Sequence, residues 1–191
     1  MPKLGMGPIR RKQLVQAAIA AIHEHGFTNA TVARIARGAG LSPGIVHHYF
    51  ADKDELLFET MRSLLGELRR DAVARQRQAL TPRQRVNAII DASFGDDQFN
   101  EQVFSAWLAL YGNARQSKHL QRILRIYHRR LRANLMYDLV QLMDRPRAAH
   151  LAEGIGAMID GLWLRYALTG RPGDPAHPRF VTRSYFESAS P

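Results

Sequence analysis

Thr31, Arg34, Ser42, Pro43, Gly44, His47, His48, Tyr49 and Lys53 fall within one 23-residue stretch, TVARIARGAGLSPGIVHHYFADK. Their polar side chains share one kind of chemistry, hydrogen bonding to an anionic, edge-presenting partner. An imidazole donates or accepts at a base edge, or donates to phosphate. Hydroxyl groups and the backbone N–H groups at a helix start suit phosphate oxygens. Lys53 adds a point charge, and Gly44 lets the backbone approach a duplex closely. At 100° per residue, Pro43, Gly44, His47 and His48 share one side of a short helix. Ile45, Val46 and Tyr49 share the other. The first side is expected to meet base edges and sugar-phosphate, and the second to pack inward with the Tyr49 hydroxyl pointing at a phosphate. Taken alone, His47-His48 are ordinary surface histidines; within the whole stretch they are expected to contact DNA. Adjacent histidines on a helix point in different directions, so they do not form a metal site. His23-Glu24-His25 lacks the spacing of a zinc hydrolase motif.

These side chains need short helices to position them. Helical periodicity dominates the chain, and no segment sustains a period of two. Residues 9–25 place Leu14, Ala18, Ala21 and Ile22 on one face, with Gly26 as the stop and Phe27 folding back. Thr31 is expected to cap the next helix, whose apolar face is Val32, Ile35, Ala36 and Ala39. Gly40 supplies the permissive turn. Ser42 is expected to cap the third helix, with Pro43 at its first position. Two helices joined by a tight glycine turn are the layout of a helix-turn-helix, whose second helix enters the major groove. A fourth helix is expected from near Asp52 to about Ala79. Others are expected near 82–94, 99–113, 118–143, 146–169 and 179–188. Their separators are Thr81-Pro82, Gly95-Asp96-Asp97, the 113–117 region and Arg145-Pro146. Thr169–Pro178, TGRPGDPAHP, is a Pro/Gly loop.

Composition agrees with a nucleic-acid partner. The 191 residues carry 27 Lys and Arg against 17 Asp and Glu, a net charge of +10. Residues 1–53 hold Lys3, Arg10, Arg11, Lys12, Arg34, Arg37 and Lys53 against only Glu24 and Asp52. A basic balance attracts polyanions. Arg10-Arg11-Lys12, with Lys3, is expected along the DNA backbone or in a minor groove. There are no cysteines, which excludes disulfides and zinc-thiolate sites. No Gly-rich phosphate loop or nucleophile–base constellation is present, so an enzyme is not expected. The basic N-terminus lacks an apolar signal region, and no apolar run approaches ~20 residues. A soluble, cytoplasmic protein is expected, without membrane partners.

Thr31, Ile35-Ala36, Ala39-Gly40, Leu41-Ser42, Gly44, Tyr49-Phe50, Lys53 and Leu56-Leu57 together resemble the DNA-binding region of the tetracycline-repressor (TetR) family. The resemblance implies an all-α homodimer on operator DNA. It divides the chain at 1–51, a helix-turn-helix domain, and 52–191, a helical effector-binding and dimerisation domain. It also implies base contacts from Pro43, Gly44 and His47, and backbone contacts from Thr31, Ser42, His48, Tyr49 and Lys53. Further along, MPKLGM, Ala106-Trp107-Leu108 with Tyr111, Arg129-Arg130 and Ile159–Arg165 look like choline-responsive repressors of glycine-betaine synthesis genes within that family.

A choline-like effector is a quaternary ammonium and cannot donate ordinary hydrogen bonds. Its sites use aromatic faces and nearby carboxylates. Trp107 and Tyr111 are four apart on one helix, and Phe104 lies one turn earlier. Trp163 and Tyr166 are three apart on another. With Asp91 as a carboxylate, these six are the candidate ligand-binding residues. The same stripes equally suit core or dimer interface. Asp160, inside an apolar run, is expected to be a paired, partly buried acid. The 154–168 helix is apolar nearly all round and rich in small residues, as an interface with a symmetry mate requires. Arg122, Arg125, Arg129, Arg130 and Arg132 form a second basic cluster, either a polyanion surface or a solvated face with intermolecular ion pairs. No cofactor is expected.

Overall fold

The computed structural model describes residues 6–169 and 174–190, and all its regular elements there are helices. Lys3, and residues 170–173 of the expected Pro/Gly loop, lie outside the described residues; of the rest of that loop, Thr169 ends one helix and residues 176–178 already belong to the next. The helices are α1 (Met6–Asn29), α2 (Val32–Gly38), α3 (Pro43–Tyr49), α4 (Lys53–Gln78), α5 (Pro82–Ser93), α6 (Glu101–Ala114), α7 (Lys118–Leu139), α8 (Arg145–Thr169) and α9 (Ala176–Ala189).

Local chemistry sets most boundaries. Gly26, at φ 71° and ψ 161°, breaks α1 near its end, a conformation that side chains rarely adopt. The Arg34 backbone N–H donates to Thr31 Oγ1 at 3.3 Å and so caps α2. Asp52 Oδ1 accepts the Glu55 N–H at 2.7 Å, and the Ala51 N–H donates to Glu55 Oε2 at 2.6 Å, closing the start of α4. Thr81 and Gln84 form a reciprocal capping box at α5, with Pro82 in the first turn. Between α7 and α8 the break falls earlier than Arg145-Pro146. α7 ends at Leu139, and Asp144 Oδ1 accepts the Arg147 N–H at 3.0 Å, so Arg145 and Pro146 already belong to α8. A proline in the first helical turn loses no bond there, which is why it is a poor marker of a gap.

The helices gather into two compact units. One comprises the chain up to Leu64 together with Glu101–Leu124; the other comprises Leu65–Asn100 with the chain from Arg125 onward. Packing therefore groups the chain differently from a cut at residue 51. In the first unit α1 packs on α2 and on α6, and α2 on α3. Leu14, Ala18, Ala21 and Ile22 of α1 are buried as their spacing requires, with Ile35, Ala36, Val46, Leu56, Leu57 and Met61. His23 Nδ1 lies 3.1 Å from Ser105 Oγ, joining α1 to α6.

In the second unit α9 packs on α5 and α8. Its contact with α5 is a row of polar links at four-residue steps. Arg83 and Asn87 reach Glu187, Asp91 pairs with Arg183, and Arg179 Nη2 donates to the Phe94 carbonyl at 2.6 Å. Phe94 and Phe186 are fully buried. Asp138, wholly buried, accepts from Arg85 Nε at 2.6 Å. Against α8, a Cβ on Gly154 would fall 2.1 Å from Tyr185 Oη, so that glycine admits the tyrosine ring.

Gly40 has φ +66° with open space where a Cβ would stand. Its replacement by Ala therefore meets backbone strain alone. Gly40→Ala is expected to cost about 1–2 kcal/mol in urea unfolding, and Gly40→Asn to cost less, because Asn tolerates the left-handed region.

Candidate functional site

The helix-turn-helix side chains sit as the periodicity requires. On α3, Pro43, Gly44, His47 and His48 are exposed, whereas Val46 is buried and Ile45 and Tyr49 are half-buried. Ser42 precedes α3 in extended backbone, but its hydroxyl makes no capping bond. Its position is that of an N-cap while its oxygen is left outward on an exposed residue, available to a phosphate. Thr31 both caps α2 and remains exposed. The Arg34 guanidinium donates to the Asn29 carbonyl at 3.0 Å. The His48 and Tyr49 rings meet edge to face, 5.2 Å between centroids, which restrains both at the end of α3.

Two cations are used more internally than their sequence position suggested. Arg11 Nη2 donates to the Tyr49 carbonyl at 3.1 Å, its Nη1 lies 3.5 Å from Glu59, and its guanidinium stands 5.1 Å from the Phe50 ring centroid. It satisfies a carbonyl that the end of α3 leaves orphaned, so it holds the recognition helix to α1 and α4 instead of lying free for DNA. Lys53 Nζ donates to the Thr28 carbonyl at 2.9 Å and stands 4.3 Å from the Phe27 ring centroid. Burial lowers its pKa, opposed by the neighbouring Asp54. An ammonium has three donors, so one bond to Thr28 leaves capacity for a phosphate. Neither use was legible in the sequence, because the partners lie 25 and 38 residues away.

The effector candidates fall in both units. In the first, Trp107 and Tyr111 stack at 5.7 Å between centroids, as four-residue spacing on one helix requires. Trp107 and Phe104 are buried, and Tyr111 is half-buried. In the second, Phe99 meets Trp163 at 5.8 Å and Tyr166 at 5.1 Å, both edge to face. Trp163 Nε1 donates to the Ser93 carbonyl at 3.0 Å, which fixes the indole. Phe99, in the loop before α6, organises this cluster although its spacing gave no such signal. Asp91 is paired with Arg183 on α9, which leaves it less free to face a cation than its sequence neighbourhood implied. Its Oδ1 is buried and makes no hydrogen bond among the described residues.

Asp160 is the paired, half-buried acid expected of its place. Tyr127 donates to Oδ1 at 3.1 Å, and His128 Nε2 lies 3.0 Å from Oδ2. The hydrogen bond to Asp160 is the main cause of a raised His128 pKa, with burial opposing it and Asp160 and Glu153 adding attraction. A folded-state pKa above the unfolded value of about 6.5 means that protonation favours folding. This contribution is complete below that value and is lost as pH rises through the raised pKa. The urea midpoint is expected to fall across that window, and His128→Gln to remove the pH-dependent part. The half-exposed ring keeps the effect small.

Among the described residues no helix is long and apolar enough to cross a membrane. Comparison with known proteins gives consistent results. Residues 14–60 match the bacterial regulatory proteins of the tetR family, and residues 82–190 match the BetI-type transcriptional repressor C-terminal domain. The HTH-type transcriptional regulator BetI of Brucella melitensis is 49% identical over 185 residues, covering 97% of this chain and 93% of that one. A TetR transcription regulator from Haloarcula marismortui shares the fold at a TM-score of 0.86 and 22% identity, covering 96% of this chain and 100% of that one. A protein from Saccharomonospora viridis crystallised in complex with choline superposes at a TM-score of 0.77 and 21% identity, covering 94% and 96%. The chain belongs to the tetR family of bacterial regulatory proteins, as a DNA-binding transcriptional repressor with a BetI-type C-terminal domain.

Proposed function

We propose that this repressor controls genes of choline uptake and glycine-betaine biosynthesis, and that choline or a related quaternary ammonium relieves repression. The observation that carries the reading is the near-full-length identity to BetI regulators. The choline held by a protein of the same fold, and the paired aromatics, support the effector class.

The protein acts in the cytoplasm as a homodimer on two half-sites about one DNA turn apart, ~34–36 Å. Pro43, Gly44 and His47 face bases. Thr31, Arg34, Ser42, His48, Tyr49 and Lys53 face the sugar-phosphate backbone. The effector contacts are drawn from Trp107, Tyr111 and Phe104, and from Trp163 and Tyr166, whose ring faces attract a cation that cannot hydrogen-bond. Asp91 serves as a carboxylate only if Arg183 yields it. α4 leads from the recognition helix into the rest of the chain. Choline shifts this helix and with it the spacing of the two recognition helices. Linkage requires choline to bind the released state more tightly than the DNA-bound one.

Calorimetry with choline, betaine aldehyde and glycine betaine tests the effector. Choline is expected to bind, and Trp107→Leu and Trp163→Leu to identify which aromatic set it uses. Absence of binding by all three at millimolar concentration would assign the protein to a different small effector.

A further inference from the structure

The recognition helix α3 has seven residues, too few to be stable alone in water. Its orientation is therefore set by what ties its ends. At the start, the Ser42 hydroxyl makes no capping bond. At the end, the Tyr49 carbonyl accepts from Arg11 Nη2 at 3.1 Å. That guanidinium comes from α1 and stands 5.1 Å from the ring centroid of Phe50, the buried residue that closes α3.

Glu59, on α4, stands beside the arginine. Its Oε2 lies 3.5 Å from Arg11 Nη1, and its side chain is only 16% exposed. Arg62, on the same helix, donates to that oxygen from Nε at 3.0 Å and from Nη2 at 2.7 Å. The carboxylate is thus fixed on its own helix and meets Arg11 from there. A guanidinium is a planar fork, so a carbonyl on one arm and a carboxylate on the other leave it little freedom to swing away to a phosphate. All of these residues belong to the first compact unit.

We propose that Glu59, although an acid in the DNA-binding unit, strengthens operator binding by holding Arg11 on the end of α3. Glu59 and Arg11 are positioning residues: neither touches DNA, and together they set the angle at which Pro43, Gly44 and His47 meet base edges. The inference rests on α3 being the base-reading helix and is independent of the effector. Two effects of Glu59 oppose each other. Its charge repels phosphate, which acts on any duplex. Its hold on Arg11 acts only where bases are read. The sign of the change when the charge is removed tells which effect wins.

Fluorescence anisotropy tests this with the duplex that the wild-type protein selects from a random-sequence pool, and with a scrambled version of it, at equal folded fraction read from urea unfolding. Glu59→Gln keeps the shape of the side chain and removes its charge. It is expected to weaken binding to the selected duplex about tenfold, the scale of the hydrogen bond from Arg11 to Tyr49, and to leave the scrambled duplex unchanged or slightly tighter. Arg11→Gln is expected to weaken the selected duplex by a similar factor with the slope of log affinity against log salt unchanged, whereas loss of a phosphate contact would shrink that slope by about 0.9. The double variant is expected to bind no more weakly than Arg11→Gln alone, because the two residues act in series. The proposal is overturned if Glu59→Gln tightens both duplexes or weakens both alike, if Arg11→Gln shrinks the slope, or if the two losses add. A wild-type protein that selects no duplex would remove the base-reading role of α3 as well. Full selectivity retained by Glu59→Gln would remove this inference alone.

Discussion

His47→Ala is expected to weaken operator binding about 5–150-fold and to relax selectivity at the base pair it reads, the value of one good base contact, ~1–3 kcal/mol. His48→Ala is expected to behave differently. A phosphate contact carries no sequence information, so operator and non-operator duplexes should lose affinity alike. Both side chains are exposed on the outer face of a helix whose inner face is buried, so neither substitution is expected to disturb folding. Fluorescence anisotropy at several salt concentrations, with operator and scrambled duplexes, separates the two effects. Unchanged affinity in both variants would return the pair to ordinary surface histidines.

This half of the molecule was legible in the sequence because its determinants are local. The Thr31 cap, the Gly40 turn, Pro43 at a helix start and the inward Val46 each depend on neighbours within four residues. Contacts between distant segments were less so. The stack of Trp107 on Tyr111 follows from helical spacing, but Asp91 meeting Arg183 spans 92 residues and Trp163 reaching Ser93 spans 70. Periodicity says which face of a helix is apolar and nothing about which distant charge arrives there. The same limit hid Arg11 on the end of α3 and Phe99 between Trp163 and Tyr166. It also hid the packing of α6 on α1, which places residues 101–124 in the compact unit of the helix-turn-helix.

Phe186→Ala is expected to be the most damaging substitution for the second unit, costing about 3–5 kcal/mol by loss of transfer energy and the cavity left behind. Phe186 is fully buried on α9, and the Arg83 guanidinium stands 5.7 Å from its ring centroid. The polar links beside it, Arg83 and Asn87 to Glu187, are partly exposed and contribute little each. The buried ring, not the ion pairs, is therefore expected to contribute most of the stability that α9 adds. Urea unfolding should show the large loss for Phe186→Ala and less than about 1 kcal/mol for Glu187→Gln. Comparable losses in the two variants would reverse that order.

The proposed coupling on one chain is between operator DNA and a quaternary ammonium. Its most direct test is the affinity of the purified dimer for operator DNA, measured by anisotropy with and without saturating choline at fixed ionic strength. A coupling of ~1–3 kcal/mol predicts that choline weakens operator binding about 5–150-fold, and by reciprocity that operator DNA weakens choline binding by the same factor. Operator affinity that choline leaves unchanged, or tightens, would contradict the account.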